Sequence, residues 1–150
     1  MVWASHRAVT FVTIYAVTSD ISAALCGTMG STFPDKIEGP LWRKWHRTYS
    51  HWFVSYLPVL LLFMPSTEWY PVEAALSHNV FMGIKCAVFW FFVGAVAHIA
   101  EDAVCGKIPI VSPRKRVTVF PRLFYVGSKK ETVFTLVYCI IVLFVRGYFT

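Results

Sequence analysis

Residues 89–102 read FWFFVGAVAHIAED, and the change of chemistry inside that stretch governs how the rest of the chain is read. Phe89 to Ala97 is material for lipid or a protein core, whereas His98 and Asp102, just beyond it, are ionisable. Four residues apart on a helix, their side chains leave the same face about one turn from each other. Ionisable groups ending an apolar run are costly unless compensated, and in a membrane protein they mark a functional site. A metal ion is the simplest compensation, because it takes a neutral imidazole and a carboxylate together. A His–Asp hydrogen bond capping the helix end is the plainer alternative.

The composition sets the surroundings of that pair. Of the 150 residues, 57% are hydrophobic and 15% charged, and the mean hydropathy is +0.57. This is too apolar for an ordinary soluble domain and predicts a single integral membrane domain over residues 1–150. Cys26, Cys86, Cys105 and Cys139 show no C-x-x-C spacing. That argues against a disulfide framework or a zinc ribbon. MVWASHR, before an apolar run from Ala8 to Val17, is a weak n-region with no small-x-small cleavage site after it. The N-terminus is therefore expected in the mature chain.

The expected fold is all-α: a polytopic membrane bundle of about five apolar helices. The segments are Ser5–Thr18, Ile21–Phe33, His51 to about Pro65, Ser77–Val104 and Glu131–Arg146. Between the second and third lies a polar loop, STFPDKIEGPLWRKWHRTYS, and Pro58 is expected to kink the third. A basic loop, Cys105–Lys130, precedes the last helix. The fourth helix would be about 42 Å long, against a hydrocarbon core of roughly 30 Å, and so tilts or protrudes. Ser19–Asp20 decides the topology. A carboxylate midway through a spanning helix is expensive, whereas at a turn it reaches water. This predicts a short N-terminal hairpin whose arms need not span fully. With the hairpin, Arg7, Lys36, Arg43, Lys44, Arg47, Lys107, Arg114, Lys115, Arg116, Arg122, Lys129 and Lys130 share one face, which the positive-inside rule makes cytoplasmic. Arg146 lies at the opposite end.

That topology brings four chain positions to one membrane face. They hold His6, Asp35 with Glu38, His46 with His51, and His98 with Asp102; His78 is expected at the far end of the fourth helix. Histidines and carboxylates converging from separate elements are the pattern of a mixed metal site.

The same residues carry a family resemblance. GTMGSTFPDKIEG, then HRTYSH, then AHIAEDAVCGKIPIVSP resembles, in order and spacing, the YdjM-like family of inner-membrane metal-dependent hydrolases. That family shows an N-terminal His, L-P-D-x-D-H, H-R-G-x-T-H and G-x-x-S-H-x-x-x-D elements, then a T-P-x-G-x-P-L-x-x-P loop. The resemblance implies that His6, Asp35, His51, His98 and Asp102 stand where the family's candidate ligands stand. It also implies kinship with the all-helical zinc-dependent phospholipase C and nuclease superfamily. This chain departs from the pattern at Lys36, Ile37 and Glu38, where the second acid is displaced, at Thr48 and Ser50, and at Cys105–Gly106.

The expected chemistry is hydrolysis at the cytoplasmic face of a bacterial inner membrane, using zinc or another divalent metal, as one or two ions. Such an ion lowers the pKa of a bound water toward about 7. Glu38 or His46 is the candidate general base or ligand-orienting partner. Arg43, Arg47, Arg114 and Arg116 are candidates to hold an anionic head group of a membrane lipid, the expected partner. The alternative is a non-catalytic membrane protein with a structural ion or polar cluster, whose basic loops bind a protein partner or anionic lipid. No specific nucleic-acid binding is expected, and the sequence leaves substrate and oligomeric state open. Trp42, Trp45, Trp52, Phe120 and Tyr125 fit an interfacial aromatic belt.

Overall fold

Asp20 turns the chain, as its position between two apolar runs predicts. Helix α1 (Trp3–Thr18) stops at Ser19, which takes a left-handed φ of 58° and returns its N–H to Tyr15 O. The Asp20 carboxylate then caps α2 (Ile21–Gly30), accepting from the N–H groups of Ser22 at 2.8 Å and Ala23 at 3.1 Å. Its second oxygen accepts from Val72 N–H at 2.8 Å. Three donors thus satisfy a charge that a continuous helix would have exposed to lipid. These elements belong to a computed structural model, which describes residues 1–39, 47–65, 72, 77 and 79–149.

After α2 the structure departs from the expected polar loop. Phe33–Glu38 forms a short helix, α3, with Pro34 in its first turn and Gly39 after it at φ 48°. Proline's fixed φ and missing N–H suit a first turn, and glycine tolerates the left-handed exit. The i, i+3 spacing puts Asp35 and Glu38 on neighbouring positions of one face. The expected third helix from His51 is also corrected. Tyr49–His51 and Phe53–Ser55 are single 3₁₀ turns, and the helix, α4, covers only Leu57–Phe63. Pro58 starts this helix instead of kinking a longer one, for the same reason as Pro34.

The long helix α5 (Val80–Cys105) carries the whole of residues 89–102. It packs against α2 through glycines. A Cβ at Gly30 would stand 1.7 Å from Phe91 O, and one at Gly94 would stand 1.9 Å from Gly27 O. Bare backbone is what lets the two helices approach this closely. Beyond α5, the basic segment is not the featureless loop expected. Lys107–Ser112 (β1) pairs antiparallel with Lys115–Thr118 (β2), so the chain is mostly helical with a two-stranded sheet, not all-α. Ile108, Ile110, Val117 and Thr118 are β-branched residues that suit a half-buried ribbon, and Ile108 packs in a cluster with Tyr56, Ala95, Ile99 and Ala103.

The last helix, α6 (Lys129–Phe149), runs parallel to α1. Glu131 Oε1 accepts from Val2 N–H at 2.6 Å, Thr13 and Tyr138 share a hydrogen bond of 2.8 Å, and Arg146 donates to Ser19 Oγ at 3.2 Å. Among the described residues, α5 and α6 are the two helices long and apolar enough to cross a membrane, by length and composition. Their most apolar windows are only 33% and 11% buried against protein, and α6 presents Val133, Leu136, Ile140, Ile141 and Phe144 outward. At 16, 10 and 7 residues, α1, α2 and α4 are shorter than the roughly 20 a full crossing needs. The described helices therefore provide two candidate spans where five apolar helices were expected.

Candidate metal centre

α1 begins, α2 ends and α5 ends at the same level, with α3 and the Tyr49–His51 turn closing the space between them. The structure brings His6, Asp35, His51, His98 and Asp102 together there, from four separate chain segments. Offering one atom each, His6, His98 and Asp102 lie within 4.8 Å of one another, and so do Asp35, His51 and His98. His98 is common to both groups. The three histidines are fully buried and Asp102 nearly so, while the Asp35 side chain keeps 19% of its surface open.

The histidine orientations are specific. His6 Nδ1 donates to Glu101 Oε2 at 2.5 Å, and His51 Nδ1 lies 3.1 Å from Glu38 Oε1. Each carboxylate fixes a ring so that its other nitrogen turns inward. His6 Nε2 then stands 3.5 Å from Asp102 Oδ1, and His51 Nε2 stands 3.3 Å from Asp35 Oδ1 and 3.7 Å from Asp102 Oδ2. His98 Nε2 is 3.2 Å from His51 Nε2, 3.6 Å from Asp35 Oδ1 and 4.0 Å from Asp102 Oδ2. The last distance is too long for a hydrogen bond, so a simple His98–Asp102 helix cap is not formed. Instead His98 stacks on His6, with ring centroids 3.9 Å apart.

The carboxylates are themselves held. Glu101 Oε1 accepts from Thr10 Oγ1 at 2.8 Å, Ser50 Oγ donates to Glu38, and Trp3 Nε1 donates to Asp35 Oδ2 at 2.8 Å. Asp102 receives Arg47 Nη2 at 2.9 Å and the Met1 amino group at 2.8 Å. Burial alone would push the Asp35 carboxyl up, but His51, His98 and Trp3 outweigh it and hold the group well below the usual carboxylate range. Burial works against a proton on His51, yet Asp35 and Glu38 overcome it and raise its pKa.

This donor set fits a divalent cation. Carboxylate-bound histidines presenting their free nitrogens to a common centre are how metal-ligating histidines are oriented. His6 Nε2 is buried and, among the described residues, has no partner at hydrogen-bonding geometry, and it stands 3.5 Å from Asp102 Oδ1. Asp35, Glu38, Glu101 and Asp102 outnumber the permanent cations beside them, so the cluster accommodates added positive charge. A buried His6/His98/Asp102 group that can hold a metal ion is thus present.

Among the other expected site residues, Glu38 serves His51 from α3. His46 and Arg43 lie outside the described residues, as does His78. Arg47 is at the centre itself, on Asp102, where a head-group contact was expected. Arg116 lies in a separate basic cavity with Arg47, and Arg114 sits in the β1–β2 turn, its N–H on Ser112 Oγ at 3.5 Å. Glu101, Thr10 and Trp3 were not anticipated from sequence. Glu101 alone had left a signal, as a second acid on the last turns of an apolar helix beside Asp102.

Next to Glu38 a cavity of about 530 Å³ opens, lined mainly by Phe33, Ile37, Tyr49, Tyr56 and Phe92. Comparisons with protein-family models, with curated proteins and with solved structures return no match to this chain.

Proposed function

We propose that this protein is a membrane-embedded metal-dependent hydrolase, with zinc as its ion, acting on a lipid phosphoester at the cytoplasmic face of a bacterial inner membrane. One observation carries the reading. His6 and His51, from different segments, each have one ring nitrogen tied to a glutamate and the other turned onto Asp35, His98 and Asp102. The order of motifs resembling the YdjM-like hydrolases supports it independently.

His6, His98 and Asp102 would hold one ion, and Asp35 with His51 a second that shares His98 or Asp102. A zinc ion in such a set supplies an acidified water and stabilises charge growing on an attacked oxygen. The chain's own residues supply the rest. Glu38 and Glu101 orient His51 and His6, and their charge on Nδ1 makes the opposite nitrogen of each ring a stronger donor to a cation. Asp35, the most open of the group, stands on the side from which a substrate would enter. The aromatic-lined cavity beside Glu38 suits the apolar part of a lipid. The N-terminal hairpin inserts part-way and α5 and α6 span, with Arg7, Lys36, Lys107, Arg116, Lys129 and Lys130 on the cytoplasmic side.

A second reading has its own observation. Asp102 is already charge-paired by Arg47 and the Met1 amino group in a buried setting, as a structural cluster would be. In that reading the ion or polar cluster is structural, and the basic segments bind a partner or anionic lipid. Purified protein, loaded with zinc and incubated with mixed bacterial lipids, separates the two. The hydrolase reading expects released head groups or diacylglycerol, lost in Asp35→Ala and Asp102→Ala. Absent release, or release that survives both substitutions, favours the structural reading.

A further inference from the structure

A cavity of about 500 Å³ adjoins the centre, lined by Arg47, Gly106, Lys107, Arg116 and Arg122. Among the described residues, no acidic side chain lines it. The ribbon explains part of this arrangement. Lys107 pairs with Thr118 and Pro109 with Arg116, so Lys107 and Arg116 stand on one face of the two strands. Arg122 lies over the Tyr125 ring at 5.1 Å, and among the described residues no carboxylate pairs with it.

Arg47 links this cavity to the metal centre. Its backbone is in the left-handed region at φ 56°, uncommon for a residue with a side chain, and its N–H donates to Glu38 Oε1 at 3.2 Å. One arm of its guanidinium holds Asp102, while its buried Nε has no hydrogen-bond partner among the described residues. Gly106 makes room for the other arm, since a Cβ there would lie 2.2 Å from Arg47 Nη1. At Gly106 the backbone is extended, with φ −166°, so the requirement is space and not backbone conformation. A buried charged donor without an acceptor is costly, and cations gathered around one cavity repel each other. An anion in the cavity relieves that repulsion, and the guanidinium arm beside Gly106 is the one placed to meet it. A phosphate group suits best, because its oxygens match the guanidinium forks and its charge answers several cations.

We propose that Arg47, Lys107, Arg116 and Arg122 bind the phosphate group of a phosphorylated ligand, and that Arg47 couples this group to Asp102 of the metal centre. The substrate role of the pocket rests on the hydrolase reading; the binding itself does not.

The test uses the full chain in lipid nanodiscs, with metal removed by chelator so that an ion cannot itself capture the anion. Inorganic phosphate is titrated by calorimetry. Wild type is expected to bind, Arg116→Gln and Arg122→Gln each to bind about ten-fold more weakly, as for loss of one charge-assisted contact. Lys130→Gln, exposed on α6 and outside the cavity, should bind as wild type. Gly106→Ala should also weaken binding by displacing the Arg47 guanidinium, with the melting temperature monitored to show that the fold is intact. A repeat in nanodiscs containing phosphatidate assigns the source. Competition by the lipid points to a head group, and undiminished phosphate binding points to a soluble phosphate, either result supporting the pocket. Metal-free protein that fails to bind phosphate, or variants that bind as wild type, would overturn it. Phosphate binding without any phosphoester hydrolysis keeps the pocket and removes the hydrolase reading. Hydrolysis with an unchanged KM in Arg116→Gln and Arg122→Gln does the reverse.

Discussion

Glu101→Gln tests whether the orientation of His6 serves a metal. The substitution keeps size and changes one thing, the charge 2.5 Å from His6 Nδ1. Glu101 also accepts from Thr10, at 2.8 Å, through its other oxygen. An amide has one oxygen and one NH₂, so it cannot offer an acceptor to both neighbours in the same way. If the oxygen stays on Thr10, an N–H faces His6 Nδ1 and drives the ring proton to Nε2, the atom that faces Asp102 3.5 Å away. If the amide flips, His6 keeps its tautomer but loses the negative charge that makes the ring a stronger donor to a cation. Loss of such a partner weakens metal affinity by about 10- to 100-fold, or roughly 1.4–2.7 kcal/mol. The assay is competition between the protein and a chromophoric zinc chelator, with helix content checked by circular dichroism. Glu38→Gln should act likewise through His51. Wild-type zinc affinity in a well-folded Glu101→Gln protein would refute the reasoning and make the His6–Glu101 pair a structural ion pair.

Further outcomes follow from the helix packing and from the titration of the centre. Gly30→Ala places a Cβ 1.7 Å from the backbone oxygen of Phe91, which cannot swing away, so a loss of about 1–3 kcal/mol in chemical unfolding is expected. At Gly147, where among the described residues nothing lies within 4 Å of an added Cβ, the same change should be neutral or slightly stabilising in that measurement. Zinc affinity should rise with pH, because a ligand histidine must lose its proton to bind. Burial opposes the His51 proton, but Asp35 and Glu38 retain it above the ordinary histidine value of about 6.5, so the rise continues beyond that pH. In metal-free protein the sign is opposite for stability: the contribution of protonated His51 is full at acidic pH and fades as pH climbs through its raised value. Chelator competition between pH 5 and 8 reads the first effect, and a flat profile above pH 6 would contradict it.

Much of this architecture was legible in the chain. Hydropathy marked α5 and α6, the two candidate spans among the described residues, because length and apolar composition are properties of contiguous residues. Asp20 marked the turn, because one carboxylate between two apolar arms has few places to go, and its three backbone donors are the result. That turn then placed His6, Asp35, His51, His98 and Asp102 at one end, since topology and not contact decides which helix ends share a level. Local chemistry was read less well where short elements compete. Pro34 and Pro58 start helices where local pattern alone suggests a loop and a kink, and β-branched residues pair into a ribbon within the basic segment.

What the tertiary structure alone decided is which atoms face which. Glu101 neighbours Asp102 in sequence, but its task is set by His6, 95 residues away, across the α1–α5 packing. Arg47 reads as one more cation in a basic loop until α5 brings Asp102 to it and Gly106 clears its path. Helical periodicity fixes neighbours three or four positions apart. The partners that orient a buried histidine come from other elements, whose rotation about their axes depends on glycine contacts and side-chain packing distributed over the whole bundle.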